Sequence, residues 1–229
     1  MIDVLYRDDA LVVVDKPSGL VTHPTDMAKG APSAMEAARA VVGRHVFPVH
    51  RLDRGTSGVL VFALDAGAAS ALGERFRAGE VEKRYVAIAR GVVPPSALVD
   101  HPIPRGEGKE RVPAVTAMER LFGAEGDKTS LVLARPETGR FHQVRRHLSH
   151  LRHPIAGDTN YGTGWFNRWM RSEIGLPRLA LHALEIDFPW QGGRLVVRAP
   201  LAADMAGAAS RLGVPSEVLA PLVQRITAT

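Results

Sequence analysis

His50-Arg51-Leu52-Asp53-Arg54-Gly55-Thr56-Ser57-Gly58 sets one carboxylate between two guanidiniums and follows it at once with a turn. The turn runs into an apolar stretch, Val59 to Leu64, that reads as a buried strand. Flanking arginines favour the ionised form of the acid and can hold a polyanion beside it. Taken alone, the pattern also fits a structural ion pair at a strand end, with Thr56 and Ser57 capping the turn. The rest of the chain turns the reading toward chemistry.

On the N-terminal side, Leu11-Val12-Val13-Val14 is a second β-branched run, a strand that enters the turn Lys16-Pro17-Ser18-Gly19. Ser33-Ala34-Met35-Glu36 has capping-box form and opens an Ala-rich helix that ends before Gly43. Beyond the Asp53 strand, Asp65 caps a helix with Leu72 and Phe76 on its inner face and Gly79 at its end. Lys83 to Ala89 alternates as a strand, with Tyr85, Ala87 and Ala89 on one face. Pro94 to Pro113 reads as a long irregular surface loop, and Ser130 to Ala134 as another strand.

From Gly139 to Pro154 the pattern is helical. Phe141, Val144, Leu148 and Leu151 form an apolar stripe, and His142, Arg145, Arg146 and Ser149 form a basic face. Gly157 to Gly164 is turn-rich, and Trp165 to Arg171 interleaves aromatics with arginine. Arg178 to Ala183 and Leu195 to Val197 read as strands, and short helices follow Pro200 and Pro215. Strands and helices mix without steady βα alternation, which gives an α+β class.

The chain has 229 residues, 45% hydrophobic and 23% charged, the balance of a globular protein with a sizeable core. No linker or repeat marks a boundary, so one domain over residues 1–229 is expected. The absence of cysteine excludes disulfides, thiolate metal sites and a cysteine nucleophile. The start carries no signal-peptide pattern and no apolar run approaches about 18 residues, so a cytoplasmic protein is expected. Net charge is +5, from 29 basic and 24 acidic residues. Its distribution says more: Gly139 to His153 holds four arginines, four histidines and no acid, a stretch suited to phosphates.

Other chemistries find little support. His147, His150 and His153 are spaced by threes, but no carboxylate lies among them and no zinc spacing occurs. No G-x-x-x-x-G-K-[ST] loop and no G-x-S-x-G elbow is present. What remains is a lone aspartate served by arginines, able to act as nucleophile or general base.

With Asp53 in this setting, the chain resembles the RluA-type pseudouridine synthases. The signature His-Arg-Leu-Asp-x-x-Thr-Ser-Gly stands at residues 50–58. Three more blocks follow the family's order: Asp15-Lys16-Pro17-Ser18-Gly19, Glu82-Lys83-Arg84-Tyr85, and Thr138-Gly139-Arg140-Phe141-His142-Gln143-Val144-Arg145. Leu151 to Asp158 and Leu179 to Ala183 fit as well, so the likeness runs from about Val4 to Ala199. It implies a bent, mixed and mostly antiparallel sheet flanked by helices, with a central cleft. It also implies isomerisation of uridine in RNA to pseudouridine, without cofactor or metal.

Carried over by position, the resemblance makes Asp53 the catalytic aspartate. Attack on the uracil, attack on the sugar and removal of a sugar proton all stay open for it. Tyr85 would stack on the uracil, with service as a base in C5 deprotonation also open to it, Arg145 would pair with Asp53, Leu181 would line the pocket, and Arg51 would fill the gap left by the flipped base. His50, Leu52, Arg54, Thr56, Arg140, His142 and Gln143 belong to the same matched blocks as expected substrate contacts. A stacked uridine cannot reach a protein carboxylate, so flipping is required.

The segments Arg146 to Ile155 and Gly157 to Leu179 are similar to the branch that modifies tRNA at uridine 65. One departure is a short span from Ala114 to Leu131, where that branch carries a longer insertion. No small RNA-binding domain is expected ahead of the catalytic one. tRNA is the expected substrate, with 23S ribosomal RNA or dual specificity as the alternative. An RNA-binding or folding factor with vestigial activity is the rival of another class.

Overall fold

The apolar runs on either side of the Asp53 turn pair with each other in the computed structural model, which describes residues 2–24, 30–106, 108–123 and 128–228. β1 (Asp3–Arg7) turns back on β2 (Leu11–Lys16), and the Asp8 carboxylate accepts from the amides of Ala10 and Leu11 at the reversal. α1 (Ala34–Val42) starts at the Ser33–Glu36 capping box and ends at Gly43, whose φ of 73° suits a residue without Cβ. β3 (Phe47–Pro48) is a short edge on β4 (Ser57–Ala63), and α2 (Ala66–Ala78) runs from its Asp65 cap to Gly79. All seven residues of β4 are buried, which is why it reads as an unbroken apolar run instead of an alternation.

β5 (Glu82–Arg90) opens a second group of strands. The segment expected to be an irregular loop instead contains β6 (Ser96–Asp100), β7 (Ile103–Pro104) and β8 (Arg111–Val112). β6 pairs with β9 (Val115–Phe122), which pairs in turn with β10 (Thr129–Pro136). β10 then lies against β5 with Tyr85 opposite Ala134. Residues 124–127, part of the short span noted in the sequence, lie outside the described residues. α3 (Gln143–His150) is shorter at both ends than the expected helix, and α4 (Gly164–Ser172) occupies the aromatic–arginine stretch.

β11 (Leu181–Trp190) and β12 (Gly193–Arg198) form a hairpin; α5 (Ala203–Arg211), α6 (Ser216–Leu219) and β13 (Ile226–Ala228) close the chain. Residues Met1–Glu82, Ala183–Ala202 and Gln224–Thr229 make one compact unit; Lys83–His182 and Ala203–Val223 make the other. The first unit's sheet runs β1-β2-β4-β11, with β12 joining β11 to β13. Its core takes Leu11 and Val13 from β2, Val59, Val61 and Ala63 from β4, Ile186 and Phe188 from β11, and Leu72 from α2. Each large side chain sealed there contributes about 1.5–3 kcal/mol. The second unit's sheet runs β5-β10-β9-β6. Among the described residues no helix is long and apolar enough to cross a membrane.

Candidate active site

In the first unit the backbone on both sides of Asp53 is tied to the segment after β2. The Lys16 side chain is wholly buried, and its Nζ donates to the carbonyls of Leu20 at 2.9 Å, Pro17 at 3.1 Å and Arg54 at 3.4 Å. An ammonium group has three donors and no acceptor, so a cage of carbonyls suits it. Thr22 Oγ1 donates to Leu52 O and accepts from Leu52 N, at 3.1 and 3.0 Å. Ser18 Oγ donates to Gly55 O at 2.8 Å; the Gly19 amide donates to Arg54 O, and Arg54 Nε returns a bond to Gly19 O. The Thr56 amide closes the turn on Asp53 O at 3.0 Å. Leu52 and Thr56 are buried, Asp53 is half-buried, and Arg51 and Arg54 are exposed.

His50 is part of the wall. Its Nε2 accepts from the Val61 amide at 3.0 Å, which leaves that nitrogen without a proton, and its ring stacks on Phe76 at 5.1 Å. Gly58 is a contact no other residue can make. Its φ is +109°, and a Cβ there would stand 2.1 Å from Ala183 O on β11. The sharp turn from the Asp53 loop into β4 therefore requires glycine.

The second unit holds Tyr85, Arg140, His142, Gln143, Arg145 and Leu181. Tyr85 is half-buried on β5, and Leu181, the first residue of β11, is buried. Lys83, two residues before Tyr85, donates to Thr138 O at 3.2 Å; burial holds its ammonium below the usual lysine range. Gln143 uses its whole amide. Oε1 accepts from Thr138 Oγ1 and the Arg140 amide, and Nε2 donates to Val115 O and Thr116 Oγ1, at 2.7–3.0 Å. It thus pins the Thr138–Arg140 turn to β9. Arg140 is exposed and donates to Pro113 O. His142 precedes α3 with φ 57°, lies over Phe141, and sets Nδ1 3.0 Å from the Tyr161 hydroxyl.

Arg145, expected on the basic face of the helix, is only 6% exposed. Its Nε and Nη2 each donate at 2.8 Å to one oxygen of Asp158, and Nη2 also donates to Asn160 Oδ1 at 3.0 Å. Burial of Asp158 works against its charge, but the Arg145 bonds outweigh it and hold the carboxyl below the usual range, aided by the amides of Tyr161 and Asn160. Arg146 donates to the Tyr161 hydroxyl at 2.7 Å. Phe141, expected in the apolar stripe, is 45% exposed and precedes α3. The separation into an apolar and a basic face fails because a buried carboxylate, 13 residues further on, draws Arg145 inward.

The three spaced histidines take three separate environments. His147 is buried between Thr116 Oγ1 and His101 O, and burial lowers its pKa. His150 stacks on His101, and His153 Nδ1 meets Arg90 O beyond the end of α3. Among the described residues, no group of three histidines and carboxylates is placed to share a metal. Thr22, Asn160 and Tyr161 were not singled out by the sequence, and Lys16 and Asp158 only as members of matched blocks. For Lys16 the available signal was a lysine closing an apolar strand. For Asp158 it was the first acid after a long basic stretch.

The arrangement supplies a carboxylate on a rigid turn and, in the other unit, an aromatic ring and a guanidinium on fixed supports. A carboxylate can serve as nucleophile or base, an aromatic ring can stack on a planar group, and a guanidinium can pair with an anion. Comparison with known proteins points the same way. Residues 10–150 match the family profile described as RNA pseudouridylate synthase. The chain is 39% identical to a protein named tRNA pseudouridine synthase C from Vibrio cholerae, over 96% of this chain and 99% of that one. It is 40% identical to the protein of the same name from Haemophilus ducreyi, over 82% and 85%. Among solved structures, human RNA pseudouridylate synthase domain containing 4 superposes with a TM-score of 0.74 at 28% identity, over 92% of this chain and 93% of that one.

Proposed function

Because the chain belongs to the RNA pseudouridylate synthase family, we propose that it isomerises a uridine of tRNA, at position 65, to pseudouridine in the cytoplasm. The N1–C1′ glycosidic bond breaks, a C5–C1′ bond forms, the proton on C5 leaves and N1 takes up a proton. Asp53 supplies the carboxylate that acts on the flipped nucleotide. Tyr85 stacks on the freed uracil, which recovers part of the unstacking cost, about 1–3 kcal/mol per base. Arg145 pairs with Asp53 and orients it, Leu181 lines the uracil pocket, and Arg51 fills the stack where the base left it. The reaction as written balances within the substrate and needs no cofactor or metal.

One observation carries this reading: Asp53 sits on a turn whose backbone is bonded on both sides, to Thr22 through Leu52 and to Lys16 through Arg54. Such preorganisation is what a carboxylate needs to meet a reacting atom with little rearrangement. The choice of tRNA is supported by the names of the near-full-length relatives. The test is tritium release from C5-labelled uridine in unmodified tRNA and ribosomal RNA transcripts, with wild type and Asp53→Asn side by side. Release from tRNA, lost in the variant, is the expected result. Release from ribosomal RNA alone overturns the substrate, and tight binding with no release overturns the enzyme.

A further inference from the structure

The outward face of the aromatic–arginine stretch has no part in the site above, yet its geometry is specific. Phe166 and Met170, spaced four apart, are wholly buried and fix the inner face of α4. That orientation turns Trp165, Arg168 and Arg171 outward, all exposed, with Trp165 at 54%. The Arg168 guanidinium lies back along the helix, its Nη1 3.4 Å from the point a Gly164 Cβ would occupy, at the same helix end that carries Trp165. Trp169, stacked on Phe166 underneath, already carries the Lys128 ammonium 5.2 Å above its ring. α4 itself contains no acid, and Glu173, just past its end, accepts from Ser172.

We propose that this exposed face of α4 is a second RNA contact, where one base stacks on Trp165 while Arg168 and Arg171 hold neighbouring phosphates. The inference rests on the RNA-modifying reading and adds to it a surface outside the catalytic residues. An exposed indole on the same helix face as two exposed guanidiniums matches a ligand that offers flat π faces and anionic groups together, which is the chemistry of nucleic acid. An acidic protein segment would use the arginines but would leave the indole without a matching face.

The same helix is tied to the support of Arg145. Asn167 Oδ1 accepts from the Gly157 amide at 2.9 Å, and its Nδ2 donates to Asp158 O at 2.8 Å. Asp158 in turn holds Arg145. RNA bound on α4 is thereby placed at a fixed distance from Arg145 within one unit, so the face acts as a ruler for the substrate.

The experiment is filter binding of unmodified tRNA to wild type, Trp165→Ala, Trp165→Phe and the double variant Arg168→Ala/Arg171→Ala across a salt series. Thermal melting of each confirms folding. Trp165→Ala should bind about tenfold more weakly, with Trp165→Phe recovering most of the loss. The double variant should flatten the slope of log K against log salt by about 2. In single-turnover assays the affinity should fall by more than the saturated rate. Unchanged affinity and slope in folded variants overturn the proposal. So does unchanged RNA binding with loss of self-association in sedimentation, which would make the face a protein contact. A wild type that binds tRNA without modifying it would remove the catalytic reading, while the same binding series still decides this one.

Discussion

The turn that carries Asp53 is fixed through backbone groups, whereas Arg145 is fixed through charge. Around Asp53 the partners are carbonyls and amides of residues 17–22 and 52–56, gripped by a lysine, a threonine and a serine. Around Arg145 they are a carboxylate and a side-chain amide supplied by one loop. Backbone ties set the path of the chain and are largely indifferent to the side chain at position 53. A bidentate ion pair sets the side chain itself and depends on both partners keeping their charge. The comparison predicts that substitutions at Asp53 act on chemistry and those at Arg145 act first on stability.

Asp53→Asn sharpens this most. Turnover should fall about 10³-fold or more, with melting temperature and tRNA affinity near those of wild type. A large fall in melting temperature would break the comparison. Arg145→Ala leaves Asp158 buried with its main cationic partner removed, and urea denaturation should show a loss of about 3–5 kcal/mol. Arg145→Lys should recover only part of this, because an ammonium cannot reproduce the two-pronged bond. Lys16→Met deprives three carbonyls of their shared donor and should cost about 2–4 kcal/mol. If it unfolds no more readily than wild type, the backbone half of the comparison falls.

Smaller effects follow. Tyr85→Ala should lower kcat/KM about tenfold if stacking is the main contribution, and Tyr85→Phe should lower it less. Equal losses would assign the role to the hydroxyl. The smallest is a difference in acid. Asp158 has its folded pKa lowered, so its contribution is present above the unfolded value near 4 and is lost as pH falls through the folded one. Denaturation midpoints of wild type and Asp158→Asn should therefore differ at neutral pH and converge in acid. Parallel curves down to pH 2 would show that the pair contributes nothing through its charge.

Much of the first unit was legible because its signals are local. The Ser33–Glu36 box, the Asp65 cap, Gly43 and Gly79 each act within one helical turn, and β2 and β4 are apolar because both faces are covered. β9 was not legible. Ala117-Met118-Glu119-Arg120-Leu121 are strong helix formers, and pairing with β10 and β6 overrides that preference. β6 hid in a Pro- and Gly-rich region with only Val99 buried among its five residues. In the site, Asp53 was marked by its own neighbours in sequence. The partners of Arg145 and the cage around Lys16 were not, since each joins residues whose proximity only the folded chain creates.

The interleaving of the two units has a consequence for how the protein is made. The chain passes between them at Glu82–Lys83, His182–Ala183, Ala202–Ala203 and Val223–Gln224. Neither unit can therefore emerge from the ribosome as a finished piece before the other has begun. The first unit waits longest: β11 arrives about a hundred residues after Glu82, and β13, which pairs with β12, follows the second unit's last segment, Ala203–Val223. A nascent chain halted before Ile226 would hold every catalytic candidate yet keep an open strand edge, a ready handle for quality-control proteases.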